Sequence, residues 1–532
     1  MSTITRTIVS DLLRPEGREA RPAIRSDGID VSYAALQSEC AAFAQGLLRL
    51  NLTRGERVAI YLEKRRENIV AMFGAATAGL VFVPVNPLLK ADQVGHILRD
   101  CNVRVLVTSA DRLALLAPTL ASCEDLRVAV TVDAAPADAS RSLAVMEWAA
   151  LMSGSDAART VHRVIDTDLA AIFYTSGSTG RPKGVMLSQR NIVWGGISVS
   201  SYLGNHAEDR LLAALPLSFD AGFSQLTTSF HTGACAVLHN FFLPKDAIRA
   251  LAAERITGLT AVPPLWFQLI QHPWPDSVAD HLRYIANTGG RMPRTTLDAL
   301  RSRLPKTKAY LMYGLTEAFR STYLPPEEVD RRPDSIGKGI PNAEILVLRE
   351  DGTPCAPREP GELVHRGALV GMGYWNDPEK TAERYKPLPG REGGYVLPEY
   401  AVFSGDTVYA DEEGFLYFVG RRDEMIKTSG YRVSPTEIEE VVYRTGLVAE
   451  VAALGVAHDQ LGQAVVLVVV PAKPEIDVAA LKAACQQTLP GYMVPKHIEL
   501  RTGNLPRNPN GKIDRKLLAD EFRSMFENAV QS

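Results

Sequence analysis

Short, nearly unbroken apolar runs alternate with helical spacing along the first third of the chain. Val58–Leu62 (VAIYL), Val81–Val85 (VFVPV) and Val103–Thr108 read as strands, and Glu67–Gly79 and Ala91–Arg99 as the helices between them. Strands that lack an apolar/polar alternation are covered on both faces, so the pattern predicts a β-α-β-α-β unit and a parallel sheet between helical layers. The Ala- and Asp-rich stretch Ala134–Ala158 predicts a surface connection. Near Gly337 the texture changes. Short strands such as Ala343–Leu348 and Phe415–Val419 alternate with DG, EEG and PG turns, which predicts antiparallel hairpins. After Arg422 it changes again. Helices over Thr436–Tyr443 and Val478–Leu489 and strands over Val451–Val456 and Ala464–Val470 predict a small α+β unit, of a size that folds as a separate domain. The predicted class is α/β. A large N-terminal domain of doubly wound sheets with a β-rich subdomain spans residues 1–422, and a small C-terminal domain spans 423–532.

Composition narrows the function. At 532 residues the chain exceeds what one core supports, and 46% hydrophobic with 22% charged residues is ordinary for a globular protein. The 58 basic against 61 acidic residues leave a net charge of −3, without the basic excess of a nucleic-acid binder. The six cysteines form no CxxC pair and the histidines no HExxH, which argues against a disulfide scaffold or a dedicated zinc site. The longest apolar run, Ala464–Val470, falls far short of the roughly 20 residues of a membrane span. The N-terminus has no secretory core, so the expected location is cytoplasmic.

The segment with the most chemistry is Tyr174-Thr-Ser-Gly-Ser-Thr-Gly-Arg-Pro-Lys-Gly184, which follows the apolar strand Leu169–Tyr174. Thr175, Ser176, Ser178 and Thr179 offer hydroxyls, Gly177 and Gly180 let backbone N–H groups crowd a polyphosphate, and Lys183 supplies a point charge. It is not a Walker loop: Gly184 follows the lysine, and Val185–Leu187 reads as a strand.

This loop resembles the signature of the AMP-forming adenylating enzymes: acyl-CoA synthetases, peptide-synthetase adenylation domains and luciferases. Four further segments resemble family motifs in family order: Tyr313-Gly-Leu-Thr-Glu317, Ser404-Gly-Asp406, Gly420–Lys427 with Ser429–Val433, and Pro506–Lys512. The resemblance runs from about Val58 to Lys512 and implies ATP, Mg²⁺ and a thiol as co-reactants. It implies that Tyr313 stacks on adenine beside Gly289, Gly290 and Gly314, that Thr316 donates to the α-phosphate, and that Glu317 holds Mg²⁺, a cation that takes few carboxylates plus phosphate oxygens. Asp406 and Arg421 would reach the ribose, Asp406 from a Ser-Gly turn. Lys512, with Thr175 and Glu317, would serve adenylation. A mobile C-terminal domain would then turn about Asp423, withdraw Lys512, and bring Lys427 and Gly430 to a pantetheine arm.

The acid-binding segment is Leu215–Phe223. Its Phe219-Asp220 resembles the pair by which amino-acid adenylation domains grip an α-ammonium. Arg320 falls at a family specificity position, and Ala286, Thr288, Met312 and Ser321 would line the remaining pocket. A buried unpaired charge is costly, so Asp220 and Arg320 either meet a polar substrate or pair with each other, or Asp220 caps a helix and Arg320 points outward. Only 20 residues follow Lys512, too few for a carrier domain, so the thiol comes from CoA or from the phosphopantetheine of a separate carrier protein. The reading that results is a ligase activating a small or polar carboxylic acid and passing it to CoA. A stand-alone amino-acid-activating enzyme and a silent binding member of the fold are its rivals. The texture is also similar to free-standing acyl-CoA ligases of exosortase systems.

Overall fold

A computed structural model describes residues 6–134, 143–154, 159–175, 182–240, 243–389, 397–421, 424–428, 431–458, 461–489, 491–508 and 511–526. Among them, three sheets organise the chain. In the first, Ala144–Glu147, Val128–Thr131, Val103–Thr108, Arg57–Tyr61, Val81–Pro84 and Leu169–Thr175 run parallel in that spatial order, and Lys183–Ser188 closes the edge antiparallel. The sequence-predicted βαβαβ unit forms its middle, with helices Arg66–Thr77 and Ala91–Asp100 as crossovers. The Ala/Asp-rich stretch is more than a surface connection. Ala144–Glu147 within it extends the sheet, and Trp148–Met152 is a helix whose Leu151 is buried.

The second sheet has a parallel centre: Cys235–Leu238, Arg210–Ala213, Gly258–Ala261, Tyr284–Asn287 and Lys308–Tyr313. From Thr322–Leu324 onward it continues antiparallel, through Ser335–Gly339, Leu416–Arg421, Tyr400–Ala410 and Gly361–Gly367 to Ala343–Leu348. The β-rich subdomain is thus hydrogen-bonded to the parallel layer, and Tyr313 and Asp406 lie in one sheet.

Between these sheets lies the helix Asp220–Thr232. Phe223 packs against Phe73, Phe82 and Phe173, at ring separations of 5.8, 5.2 and 5.6 Å. Its opposite face turns to the second sheet, which leaves the helix buried nearly all round.

The third sheet belongs to the C-terminal part, where Val448–His458 and Gly462–Pro471 form its long hairpin. Val465, Leu467 and Val469 pack under helices Pro435–Arg444 and Val478–Thr488, while Val466 and Val468 pack with Leu518 and Phe522. Successive side chains take opposite faces, so covering both faces requires the unbroken apolar run seen in the sequence. No helix among the described residues is long and apolar enough to cross a membrane.

Candidate functional site

The hairpin Leu169–Thr175/Lys183–Ser188 opposes Thr175 to Lys183 across its mouth. Ser176, Gly177, Ser178, Thr179 and Gly180 lie outside the described residues. Lys183 is half-buried with its ammonium 5.4 Å from the centre of the Tyr374 ring. Burial, then the Lys380 charge, lowers its pKa. The same tyrosine donates from its hydroxyl to Glu317 Oε1 at 2.5 Å, on the 3₁₀ turn Thr316–Ala318. Tyr374 therefore spaces a cation from a carboxylate where the two strands end. Among the described residues no group of three or more His, Cys, Asp or Glu could hold a metal. That suits a cation held by one carboxylate and the oxygens of a polyphosphate.

A second cluster spans the two halves of the large sheet. Tyr313, the last residue of its strand, donates to Asp406 Oδ2 at 2.5 Å, and Asp406 is registered opposite Arg421, whose Nε lies 3.6 Å from Oδ1. Asp406 Oδ1 is buried and receives no hydrogen bond among the described residues. Burial raises the Asp406 pKa; Arg421, Tyr313 and the Lys512 ammonium oppose it. Ser404-Gly405 is not the turn expected. It is a bulge inside the strand Tyr400–Ala410, where the register to Gly361–Gly367 shifts and Gly405 adopts φ +70°. The two extra residues re-aim the strand so that Asp406 faces Tyr313.

The acid-side residues settle the Asp220–Arg320 alternatives. Asp220 opens its helix, and its cap residue is Phe219, so Asp220 is not the cap. Its Oδ2 accepts from Arg320 Nη1 at 2.7 Å and its Oδ1 from the Thr316 hydroxyl at 2.9 Å. Arg320 is 2% exposed and points inward. Phe319 holds φ +56°, a strained value for a non-glycine residue, and so turns the chain between Glu317 and Arg320. The Thr316 hydroxyl donates its one proton to Asp220 here. Each carboxylate oxygen of Asp220 thus accepts one hydrogen bond, and its charge is matched by Arg320.

A cavity of about 20 Å³ lies beside this pair, walled by the helix face, Met312, Tyr284 and Arg320. Met312 is on its wall, while Ser321 meets His365 Nδ1 at 2.9 Å. Ala286 packs with Val199, Tyr310 and Met312, and the Thr288 backbone N–H bonds Ala261 O. Gly289 has φ +74°, and the Gly290 carbonyl accepts from Asn287. A Cβ on Gly314 would press on the Arg320 backbone at 3.2 Å.

Lys512 sits exposed on a loop closed by its own backbone, with Asn508 N donating to Lys512 O at 2.8 Å. Lys427 lies on the strand Ile426–Thr428; its side chain, Asp423 and Gly430 lie outside the described residues. Arg291 of the Asn287–Arg291 loop bonds Asp334 at 2.6 Å and Glu440 of the C-terminal helix at 2.7 Å, so it ties the two parts together. Tyr374, Gln225 and Thr228 join the site without any motif of their own. The run of buried polar residues on this helix is the signal that could have found the last two.

Residues 14–375 match the AMP-binding enzyme family, and residues 437–512 match the AMP-binding enzyme C-terminal domain. The chain belongs to the AMP-binding enzyme family. A relative within that family is the long-chain-fatty-acid–CoA ligase of Salmonella typhimurium, 30% identical over 96% of this chain and 93% of the relative. Feruloyl-CoA synthase of Amycolatopsis is 32% identical over 95% of this chain and 96% of the relative. Among solved AMP-binding enzymes, o-succinylbenzoate CoA synthetase from Bacillus subtilis with its acyl-adenylate intermediate superposes with a TM-score of 0.82 at 25% identity, covering 97% of this chain and 98% of that one. ATP-bound MatB from Rhodopseudomonas palustris gives 0.84 at 26%, covering 97% and 99%.

Proposed function

We propose that this protein is an ATP-dependent acid–thiol ligase that makes an acyl-CoA through an acyl-adenylate. The observation that carries the reading is the Tyr313–Asp406–Arg421 cluster, with an open buried carboxylate oxygen and the Lys512 charge directed at it from the C-terminal part. A carboxylate acceptor in that position takes a ribose hydroxyl. Lys183 would face the polyphosphate, and Glu317 would hold Mg²⁺, which would neutralise phosphate charge.

In the first step a carboxylate oxygen of the acid bonds to the α-phosphorus, and the bond to pyrophosphate breaks. Negative charge gathers on the α-phosphoryl oxygens, and the Lys512 ammonium offsets it. In the second step the thiol gives up its proton, its sulfur bonds to the acyl carbon, and AMP leaves. The two parts, residues 1–422 and 423–532, rearrange about Asp423 between the steps, and Lys427 and Gly430 then border the thiol's path. The pairing of Asp220 with Arg320 weighs against an amino acid as substrate, and the presence of both Lys512 and Glu317 weighs against a silent binding protein. The acid is small or polar, and the acceptor is CoA.

The test is ATP–pyrophosphate exchange across fatty, aryl, hydroxy and amino acids, with CoA consumption followed in parallel. Exchange that depends on an acid, with stoichiometric loss of CoA thiol, supports the reading. Exchange without CoA consumption, restored by a carrier protein, would replace CoA as the acceptor. No exchange with any acid would end the ligase reading.

A further inference from the structure

The face of Asp220–Thr232 that meets the cavity carries Ala221, Ser224, Gln225 and Thr228. Their i, i+3, i+4, i+7 spacing places them on one stripe. A helix buried between two sheets ordinarily presents apolar groups on every side. Here Ser224, Gln225 and Thr228 are 3%, 6% and 2% exposed. Gln225 fixes its amide by donating to Gly222 O at 3.1 Å, which leaves Oε1 as the group facing inward.

Three polar atoms around this one cavity have no hydrogen-bond partner among the described residues: Gln225 Oε1, Thr228 Oγ1 and Arg320 Nε. They are an acceptor, a rotatable hydroxyl and a fixed donor. The remaining wall is largely aliphatic, with Leu211, Leu212 and Met312. A buried polar group left unmatched costs roughly 1–3 kcal/mol, so a hydrocarbon tail seated here would leave three such groups dry.

Charge decides which polar group fits. Asp220 already neutralises Arg320 at 2.7 Å. A second carboxylate on the substrate would add an uncompensated anion to a buried site, and an ammonium would face the Arg320 guanidinium, whose counter-charge Asp220 already supplies. A neutral group that accepts from Arg320 Nε–H and donates to Gln225 Oε1 matches both. A hydroxyl does this, and a carbonyl satisfies the arginine and the Thr228 hydroxyl. The cavity of about 20 Å³ admits a group about the size of one water molecule.

We propose that the acid this enzyme activates carries a compact neutral hydrogen-bonding group, a hydroxyl or a carbonyl, at the end remote from its carboxylate. Gln225, Thr228 and Arg320 read that group. The inference rests on the ligase reading above and on this cavity being the far end of the acid site.

The experiment is ATP–pyrophosphate exchange by the full chain with size-matched acids that differ only at the remote end: methyl, hydroxyl, keto, carboxylate and ammonium, on aryl and short alkyl frames. The expected result is a preference of ~10²-fold or more in kcat/KM for hydroxyl or keto over methyl, since a site built to bond a polar group rejects the analogue that lacks it. Gln225→Met and Thr228→Val, each near in volume to the original, should collapse that preference towards unity, chiefly through loss of kcat/KM for the hydroxyl and keto acids. Thermal melting of each variant verifies the fold. Equal use of methyl and hydroxyl acids by the unaltered enzyme, or a best substrate with a remote carboxylate or ammonium, overturns the proposal and leaves the ligase reading intact. Absence of exchange with every acid overturns both.

Discussion

Replacing Asp220 by Asn, Arg320 by Met, and both together measures how far the acid site depends on its internal ion pair. Arg320 is 2% exposed, and its Nη1 lies 2.7 Å from Asp220 Oδ2. Two unit charges with centres about 4 Å apart attract by ~4 kcal/mol at an effective dielectric of about 20. Asp220→Asn removes that attraction and leaves a buried guanidinium unmatched, so the single change should destabilise by roughly 3–5 kcal/mol. Arg320→Met leaves a carboxylate that retains Thr316 and is 13% exposed at its side chain, so its loss should be smaller. The double variant removes both charges and should recover part of the loss, with a coupling of about 2 kcal/mol or more. Denaturant midpoints of the four proteins supply the cycle, with the slope checked for constancy. Additive losses would mean that the two side chains do not depend on each other, and the argument against an ammonium at Asp220 would fall with the pair.

Lys512→Ala should lower adenylation ~10²-fold or more while sparing thioester formation from supplied acyl-adenylate, because the lysine serves one arrangement of the chain; equal loss in both half-reactions would refute the rotation. Tyr313→Phe removes a hydrogen bond to a buried carboxylate, worth ~1.5–3 kcal/mol, and should raise the KM for ATP about tenfold or more, increasingly so on acidification as the Asp406 pKa climbs further. An unchanged KM would take Asp406 out of the nucleotide site. His365 is fully buried, and burial pushes its pKa from 6.5 down to about 3. The unfolded chain therefore binds the proton first, so stability falls as pH drops through that window, by about 3 kcal/mol at pH 4.5 from this residue. His365→Gln should flatten the acid limb of the melting-temperature profile, and an unaltered limb would contradict the assignment.

Where neighbouring residues decide the outcome, the amino-acid sequence is legible. Local apolar runs set the βαβαβ unit, and the phosphate loop carries its chemistry in consecutive residues. What escapes such a reading is long-range. Asp220 and Arg320 are a hundred positions apart, and nothing local states that they meet. Ala144–Glu147 has half-exposed, unremarkable side chains, and only its pairing with Val128–Thr131 makes it a strand. Ser404-Gly405 has turn chemistry, but pairing with Gly361–Gly367 absorbs two extra residues there as a bulge. The polar residues of the helix Asp220–Thr232 are visible in principle, yet which of them matter depends on the face that encloses Gln225 and Thr228.

The Arg291 contact bears on how freely the C-terminal part can leave. When it swings away, Arg291 keeps Asp334, and Glu440 has Arg444 at 3.4 Å on its own helix. Neither charge is stranded, so separation is a change of partners rather than a rupture. Such an exchange has a low intrinsic barrier and responds to dissolved ions, which screen partly exposed charges over about 8 Å at physiological strength. Added salt should therefore act as a throttle. Under the proposed rotation, it should shorten the dwell in which Arg291 holds Glu440, so this ion pair would help set how the enzyme divides its time.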